Sequence, residues 1–373
     1  MPEARRIIWR IVRRRSKTAI TTKTIIWLRF KRNKLAIASG VVLFLVCFVC
    51  LLAEFFAPYA QGDSSLYVYA PPQKIHFVDN NGRFGLRPFV YGINKDTDWE
   101  SLTTKYVENR SEKYYIRFFA KHQRQAGPDR LKKDFRLFGV DEGGVVFLLG
   151  SDYRGRDLLS QILYGGRVTI GVGLFGVFLS TIIGVIFGTM SGYFGGMTDM
   201  LIQRLIEILS SIPRIPLWMA MGAIIPLKWP PIYVYWGIIT VLGLLGWMGL
   251  ARQIRAKVLN VREKDFVMAS KSGGASNLHV MFRHILPNVL SHVIVVTTLA
   301  LPGLILAESS LSFLGLGIRP PMTSWGLLLQ NAQNLFAVRL APWIMTPGLF
   351  IMVTVLCFNF LGDGLRDAVD PYN

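Results

Sequence analysis

The run NVREKDFVMASKSGGASNLHVMFRHILPN, residues 260–288, is a polar and basic island between two long apolar segments. Asp265 is placed to cap a short helix, because its carboxylate can accept a hydrogen bond from a backbone N–H of the first turn. Gly273 and Gly274 are placed to end that helix, because glycine adopts the left-handed conformation without a Cβ clash. Ser276 can then cap a second helix. The run therefore predicts two short helices joined by a Gly-Gly-Ala elbow.

The second predicted helix carries an apolar face. Four apolar residues recur at positions i, i+3, i+4 and i+7, which is the spacing of one helical stripe. These residues are Leu278, Met281, Phe282 and Ile285. Pro287 follows and is expected either to stop the helix or to mark entry to the next span, because proline lacks the backbone N–H that a helix interior needs. A rigid amphipathic element of this kind suits docking into a groove of a partner protein, and a plain connector between two spans is the alternative.

Apolar segments on both sides of the run are long enough to cross a bilayer. The chain has 373 residues, of which 51% are hydrophobic, and about 20 apolar residues in a helix cross the hydrocarbon core. Six such segments are predicted, at about 35–56, 168–190, 199–224, 232–251, 288–307 and 341–361. The third contains Pro213 and Pro216, which predict a kink or a break. The sequence therefore predicts an all-α polytopic membrane protein with six transmembrane helices.

The charge distribution predicts how these spans are oriented. The net charge is +19, an excess that nucleic-acid binding can also explain. However, residues 1–34 hold twelve Lys or Arg against one acid, and residues 252–286 hold seven against two. Basic segments beside membrane spans stay in the cytoplasm and lie on anionic lipid. Both termini and 252–286 are therefore predicted to be cytoplasmic, 57–150 and 308–340 are predicted to lie outside, and no nucleic-acid partner is expected.

Residues 57–150 differ from the rest of the chain, because they mix both charges with aromatic residues, Gly and Pro. The first two strand-like runs are separated by Asp-Asn-Asn-Gly at 79–82, which predicts a β-hairpin. The predicted strands are 75–78, 83–91, 114–119 and 145–149. The segment is thus predicted to be a small β-rich extracytoplasmic insert, which serves either as a spacer or as a docking surface for an outside partner.

Motifs for nucleotide hydrolysis, proteolysis and metal binding are missing from the sequence. No Gly-Lys dipeptide occurs, so there is no phosphate-binding loop of the Walker A type. His279 and His284 have no acidic partner at metal-binding spacing and are predicted to be surface residues. The three cysteines lie in apolar segments, which predicts buried thiols. No catalytic residue, metal site or cofactor is expected, and any ATP hydrolysis must come from another subunit.

Two other classes of membrane protein stay open. A secondary transporter usually has inverted repeats and ionisable residues near mid-membrane. Here no clear repeat is visible, and Arg204 and Glu207 lie near a span end, where they are predicted to pair. A structural or signalling membrane protein would have no need of the Gly-Gly elbow.

The island resembles the EAA loop of ABC importer permeases, whose pattern is Glu-Ala-Ala, then a Gly, then Leu-Pro. The matching residues are Met268-Ala269-Ser270, Gly274 and Leu286-Pro287. The Glu and the second Ala of the pattern are missing here, so a role for an acidic side chain at Met268 is in doubt. The segments 149–167, 308–321, 324–326 and 362–371 are similar to parts of the dipeptide and oligopeptide permeases. Of these, 158–163 is predicted to be an interfacial amphipathic helix.

Over 27–56 and 149–373 the chain thus resembles the C-type subunit of the dipeptide/oligopeptide (peptide/nickel) permease family. The resemblance implies the type I ABC importer permease fold in a bacterial cytoplasmic (inner) membrane. The implied organisation is a basic segment at 1–34, a first span at 35–56, the insert at 57–150, and a domain of five helices at 151–373 with a coupling loop at 252–286.

The resemblance also implies the partners: a B-type permease subunit forming a heterodimer, two ATPase subunits that bind ATP and Mg, and an external binding protein that delivers a peptide. Nickel or another small solute is the alternative cargo. The ATPase-coupling residues implied are Asp265, Phe266, Met268, Ala269, Ser270, Gly273, Gly274, Ala275, Ser276, Leu278, Met281, Phe282, Ile285 and Pro287. Pathway or gate candidates lie in the Gly-rich loop after the fifth span: Glu308, Ser309, Ser312 and Phe313. A hydrogen-bonded structural role is an equal alternative for Glu308.

Overall fold

The computed structural model describes residues 22–79, 84–98, 103–125, 131–141, 143–226 and 228–369. The first part of the predicted basic segment, residues 80–82 of the predicted turn, and the last residues of the chain lie outside these ranges. The described residues form a helical bundle and one four-stranded antiparallel sheet.

The helices are numbered in chain order. They are α1 (Thr22–Phe30), α2 (Lys34–Leu51), α3 (Ala53–Phe56), α4 (Leu158–Phe194), α5 (Gly196–Ser211), α6 (Arg214–Ile224), α7 (Pro231–Arg262), α8 (Asp265–Ser272), α9 (Asn277–Val280), α10 (Leu286–Phe313), α11 (Trp325–Gln330), α12 (Leu335–Leu340) and α13 (Thr346–Val369). A π-helical turn, Met281–Ile285, joins α9 to α10, and 3₁₀ turns lie at Asn331–Gln333 and Pro342–Met345.

Within the described ranges, five helical segments are long and apolar enough to cross a membrane. They are Lys34–Leu51, Leu158–Phe194, Pro231–Arg262, Asn277–Phe313 and Pro342–Val369. They match five of the six predicted spans. The remaining one, at 199–224, is divided into α5 and α6 at Ile212 and Pro213. The predicted break is confirmed at Pro213, whereas Pro216 lies in the first turn of α6, where a missing N–H does not interrupt the helix.

Helix α4 is longer than the sequence predicted. It has 37 residues, and its N-cap Asp157 accepts a hydrogen bond from the Ser160 N–H. The separate interfacial helix predicted at 158–163 was wrong, because these residues are the first turns of α4. The helix continues through Gly165 and Gly166, and both glycines are buried. A Cβ at Gly166 would lie 2.8 Å from the Trp325 ring. Close packing rather than a turn therefore explains this Gly-Gly pair.

Helices α4 and α7 approach each other along a row of glycines. Gly184, Gly188 and Gly192 recur every four residues of α4 and face α7. A Cβ at Gly188 would lie 2.7 Å from the Ala251 carbonyl oxygen, and one at Gly192 would lie 2.8 Å from Val258 Cβ. Small residues at this spacing let two helix backbones approach closely in lipid.

The sheet lies within the predicted insert. Its strands are β1 (His76–Val78), β2 (Phe84–Asp98), β3 (Thr103–Gln125) and β4 (Leu131–Val140), and each pairs antiparallel with the next. The predicted β1–β2 hairpin is confirmed, with His76 opposite Phe89. The strand predicted at 145–149 was wrong. Instead, this segment is buried beside the sheet, where the Phe147 N–H donates to Gln73 Oε1 at 2.7 Å.

A buried arginine attaches the sheet to the end of the first span. Arg136 of β4 is only 2% exposed, and its guanidinium donates to the Pro58 carbonyl oxygen at 2.5 Å. The ring of Phe135 stacks on that of Phe55, 6.1 Å away. These contacts hold the insert against the segment that follows α3.

Replacement of a glycine in the α4–α7 row should destabilise the protein. Gly188→Val places side-chain atoms where Ala251 and Ile254 already lie, and overpacking of this kind costs roughly 1–3 kcal/mol. Gly249→Val on α7 is the matched control, because no described atom lies within 4 Å of the Cβ it would add. We expect Gly188→Val to lower the melting temperature in detergent by several degrees relative to Gly249→Val. Equal melting temperatures would contradict the packing role of the row.

Candidate functional site

The predicted elbow is present in the structure. Helix α8 ends at Gly273, and Gly274 has φ +81°, the left-handed conformation that glycine adopts most readily. The Ala275 N–H donates to the Ser270 carbonyl oxygen at 3.2 Å, which closes the turn. The Ser276 side chain then accepts a hydrogen bond from the His279 N–H. The elbow and the second cap are therefore confirmed.

The predicted role of Asp265 as a cap was wrong. The N-cap of α8 is Lys264, and Asp265 is the first helical residue. In the first turn, a carboxylate instead favours the helix through the positive end of the helix dipole.

Of the two roles predicted for Pro287, entry to the next span is confirmed, because Pro287 is the second residue of α10, and the stop of the second helix is not found. Helix α9 continues through the π-helical turn into α10, so that one uninterrupted helical segment runs from Asn277 to Phe313. A π-helical turn is wider than an α-helical one, which provides room for the proline ring in the second position of α10. The Asn288 side chain donates to the His284 carbonyl oxygen at 2.7 Å and so satisfies an acceptor beside the proline.

The same π-helical turn divides the predicted apolar stripe. Met281 is 7% exposed and Ile285 is fully buried, whereas Leu278 and Phe282 are each 65% exposed. The wider turn changes the angle between successive side chains, so that the two pairs point in different directions. The prediction of one common stripe was therefore wrong.

The elbow leaves four large apolar side chains exposed, which we call the elbow face: Phe266, Met268, Leu278 and Phe282. His284 lies beside Phe266, with ring centroids 6.3 Å apart, and His279 lies 5.8 Å from His284. His279 is exposed and His284 is half-buried, so the surface position predicted for both holds fully only for His279. Grouped exposed apolar side chains in a polar surrounding are typical of a protein interaction site.

Beneath the elbow face lies one buried cluster with members on α4, α7, α8, α9 and α10. Its buried members include Tyr193 of α4, Val258 of α7, Val267 of α8 and Ile285 of the π-helical turn. Val293 extends the cluster along α10. The ends of α4 and α7 and the first turns of α10 therefore pack against the elbow in one cluster.

Polar contacts reinforce this cluster around Tyr193. The Tyr193 hydroxyl donates to Asn277 Oδ1 at 2.8 Å, and the Lys271 ammonium lies 4.5 Å from the ring centroid. A cation above an aromatic face is attracted by the ring quadrupole. The end of α4 is thereby tied to both helices of the elbow.

An ion pair, not predicted from the sequence, joins α5 to α7. Arg255 donates to both oxygens of Asp199, at 2.6 Å and 2.5 Å, and Ser191 donates to the same carboxylate at 2.5 Å. Arg262 donates to the Gly192 carbonyl oxygen at 3.1 Å, at the end of the glycine row. Bidentate pairing fixes both distance and orientation. The sequence signals that could have indicated this pair are an acid three residues after Gly195-Gly196 and the excess of Arg beyond the fourth predicted span.

The four gate candidates are not in a loop. Glu308, Ser309, Ser312 and Phe313 form the last turns of α10, and the first three are buried. Ser312 donates to Glu308 Oε1 at 2.7 Å and accepts from the Ile318 N–H at 3.1 Å. The loop placement was wrong, because α10 extends beyond the predicted end of the fifth span. The contacts match the hydrogen-bonded structural alternative for Glu308, and a gating role for the group stays a prediction.

A cavity of about 430 Å³ lies between α4, α6, α7 and α10. Its polar lining residues are Ser180, Thr181, Arg214, Gln253 and Thr297. None of the four gate candidates is among the described residues that line it. This cavity could not be predicted from the sequence, because its walls come from helices that are distant from one another in the chain. Among the described residues, no group of His, Cys, Asp and Glu is placed to hold a metal ion.

Comparison with known proteins gives two family matches. Residues 184–372 match the family described as binding-protein-dependent transport system inner membrane component. Residues 24–72 match the N-terminal transmembrane domain of oligopeptide transport permease C.

Three curated relatives are permease proteins. The oligopeptide transport system permease protein OppC of Haemophilus influenzae is 36% identical over 345 residues, which cover 92% of this chain and 86% of the relative. OppC of Escherichia coli is 40% identical over 62% of this chain and 73% of its own length. The dipeptide transport system permease protein DppC of Alkalihalophilus pseudofirmus is 40% identical over 60% of this chain and 71% of its own.

A solved structure of the inward-facing MetNI methionine ABC transporter aligns with a TM-score of 0.45 at 17% identity, covering 56% of this chain and 96% of that one. The first family match spans half of the chain, and the relative from Haemophilus influenzae spans nearly all of it. The chain therefore belongs to the binding-protein-dependent ABC importer permeases, in the oligopeptide and dipeptide branch, and has their type I permease fold.

Proposed function

We propose that this chain forms half of the translocation pathway of a peptide importer and receives the force for transport through the elbow face. The observation that carries the proposal is the combination of exposed apolar side chains on the elbow with the buried cluster directly beneath them. An exposed surface supplies a docking site, and a closely packed base transmits displacement. A loop that only connected two spans would need neither.

The energy for transport would come from two ATPase subunits that bind ATP and Mg, because this sequence contains no phosphate-binding loop. A B-type permease subunit would complete the pathway in the bacterial inner membrane. In this arrangement both termini and the elbow lie in the cytoplasm. The basic residues of 1–34 and 252–286 support that orientation, since such segments are retained on the cytoplasmic side.

In this mechanism the elbow is a two-state element. Nucleotide binding and hydrolysis would change the distance between the ATPase subunits, and docked elbows would follow that motion. An equilibrium between inward-facing and outward-facing states shifts only if the partner contacts differ between the states. The rigid turn at Gly274 and the clustered ends of α4, α7 and α10 would make the movement of the elbow a movement of the spans.

A peptide cargo is supported by the relatives, whose names are those of oligopeptide and dipeptide permeases. Delivery would be by an extracytoplasmic binding protein, and the sheet of the insert is the proposed docking surface for it. Leu86 is 90% exposed and Phe84 is 70% exposed. Apolar side chains this exposed on a sheet that is tied firmly to the first span suit a partner contact better than a spacer.

Gly274→Val is expected to uncouple ATP hydrolysis from uptake while the spans still insert. A β-branched residue at φ +81° costs roughly 1–2 kcal/mol, and no described atom lies within 4 Å of the added Cβ, so the effect is backbone strain and not a clash. Gly273→Val is the matched control, since Gly273 has φ −75°. Gly274→Ala should be milder and Met268→Glu tolerated. The measurement is uptake together with hydrolysis in proteoliposomes, and coupled uptake at the wild-type rate by Gly274→Val would disprove the role.

Phe282→Ser is expected to weaken binding of the ATPase subunits about ten- to a hundredfold, because burial of one large apolar side chain at the interface contributes roughly 1.5–3 kcal/mol. Phe336→Ser is the control, since Phe336 is 62% exposed but lies on α12, outside the elbow. Binding would be titrated with the heterodimer in nanodiscs. Equal affinities for the two variants would exclude the elbow face as the docking site.

Leu86→Asp is expected to weaken binding of the substrate-binding protein to the assembled importer at least fivefold, as a carboxylate would be desolvated in the contact. Leu335→Asp adds the same charge at a residue 83% exposed outside the sheet and should leave the affinity unchanged. In parallel, a cysteine at position 86 should react in intact cells with a membrane-impermeant reagent. Labelling only after lysis would refute the outside location of the insert.

A further inference from the structure

The cavity between α4, α6, α7 and α10 lies near the middle of the membrane. Val177, Gly246 and Ala300 line it, and each is within a few residues of the midpoint of its own long helix, α4, α7 or α10. Three membrane-spanning helices therefore present their centres to one space. A space of about 430 Å³ is within the range that binds small molecules.

The walls of the cavity are mostly uncharged, and three of the residues that line it are glycines. Gly249 and Gly303 both face open space, with no described atom within 4 Å of an added Cβ. The hydroxyl groups are already engaged within the protein. Ser180 donates to the Gly243 carbonyl oxygen at 2.9 Å, and Thr181 and Thr297 share a hydrogen bond of 3.1 Å. The cavity therefore has room for a polar solute, but the hydroxyl groups of its walls provide few free hydrogen-bonding groups to bind it.

Arg214 is the exception, because it is the one charged residue among the described residues that line the cavity. It is the first residue of α6 and directly follows the break at Pro213. Within the described parts of the chain it forms no ion pair, in contrast to Arg204, which pairs with Glu207 at 2.9 Å, and to Arg255, which pairs with Asp199.

Arg214 is exposed, so its guanidinium is accessible to a solute in the cavity that it lines, and charged groups within a bilayer are normally paired or exposed to water. The position also adds to the positive potential, since the N-terminal end of a helix carries a partial positive charge. In transporters, helices that break near the midplane place such ends towards anionic groups of the cargo. Arg214 and the start of α6 together favour an anion in the cavity.

We propose that Arg214 is a specificity-determining residue that binds the C-terminal carboxylate of a peptide as it passes through the cavity. The inference rests on the proposed import of peptides. A guanidinium matches a carboxylate with two parallel hydrogen bonds, and a free peptide always carries this carboxylate whatever its side chains. The neutral remainder of the cavity would accept varied side chains and release the peptide onwards.

The test compares two forms of one peptide, with a free and with an amidated C-terminus, chosen so that the wild-type importer transports both. Complete importers carrying Arg214→Gln, Arg214→Lys or Arg204→Gln are reconstituted in proteoliposomes with the binding protein. Uptake by each variant is expressed relative to wild type for the same peptide, so that the preference of the binding protein cancels.

For Arg214→Gln we expect about tenfold lower uptake of the free peptide and near wild-type uptake of the amidated one, because the charge-assisted hydrogen bonds are lost only for the carboxylate. Arg214→Lys should retain part of the activity, and Arg204→Gln should transport both forms normally. An equal loss for both peptides would overturn the inference in favour of a structural role or pairing with the other permease subunit, and so would no loss at all. If the wild-type importer transports no peptide of any kind, the proposed function itself fails.

Discussion

The close approach of α4 and α7 is the contact on which the rest of the permease domain depends. Three glycines of α4 form this contact: Gly184, Gly188 and Gly192. A Cβ at Gly188 or Gly192 would overlap the backbone or side chains of α7. In lipid there is no hydrophobic effect to hold helices together, so close packing and interhelical hydrogen bonds have to do so. The hydrogen bond from Ser180 to the Gly243 carbonyl oxygen belongs to the same contact.

This contact joins the two regions of the chain for which a function is proposed. At one end of the helix pair, Tyr193 and Val258 belong to the buried cluster beneath the elbow. Near the middle of the pair, Ser180 and Gly246 line the cavity. The same two helices thus run from the proposed force-receiving surface to the proposed pathway. Since their backbones are in contact at several positions, they are suited to move as one body, and a displacement at the elbow would not be absorbed before it reaches the cavity.

Local rules explain which features could be predicted from the sequence. The cap at Ser276, the positive φ at Gly274 and the break at Pro213 each follow from the stereochemistry of one residue. The π-helical turn could not be predicted, because it is favoured by how Met281 and Ile285 pack into a distant cluster. The same holds for Glu308, whose burial depends on where α10 meets the segment after it, and for the Asp199–Arg255 pair, which joins residues 56 positions apart. Each of these features is non-local.

The chain departs from regular α-helix at the π-helical turn, Met281–Ile285, and at the break at Pro213. The two departures have opposite consequences, and both suit a transporter. The π-helical turn keeps the backbone continuous into α10, so that the elbow is joined rigidly to a span, and it turns Leu278 and Phe282 outwards at the same time. The break at Pro213 interrupts the backbone where Arg214 lines the cavity. Arg214 is exposed at this helix start, and charged groups within membrane proteins usually face a partner or a water-filled cavity. The chain is therefore continuous where the proposed force would be transmitted and interrupted where a polar solute would have to pass.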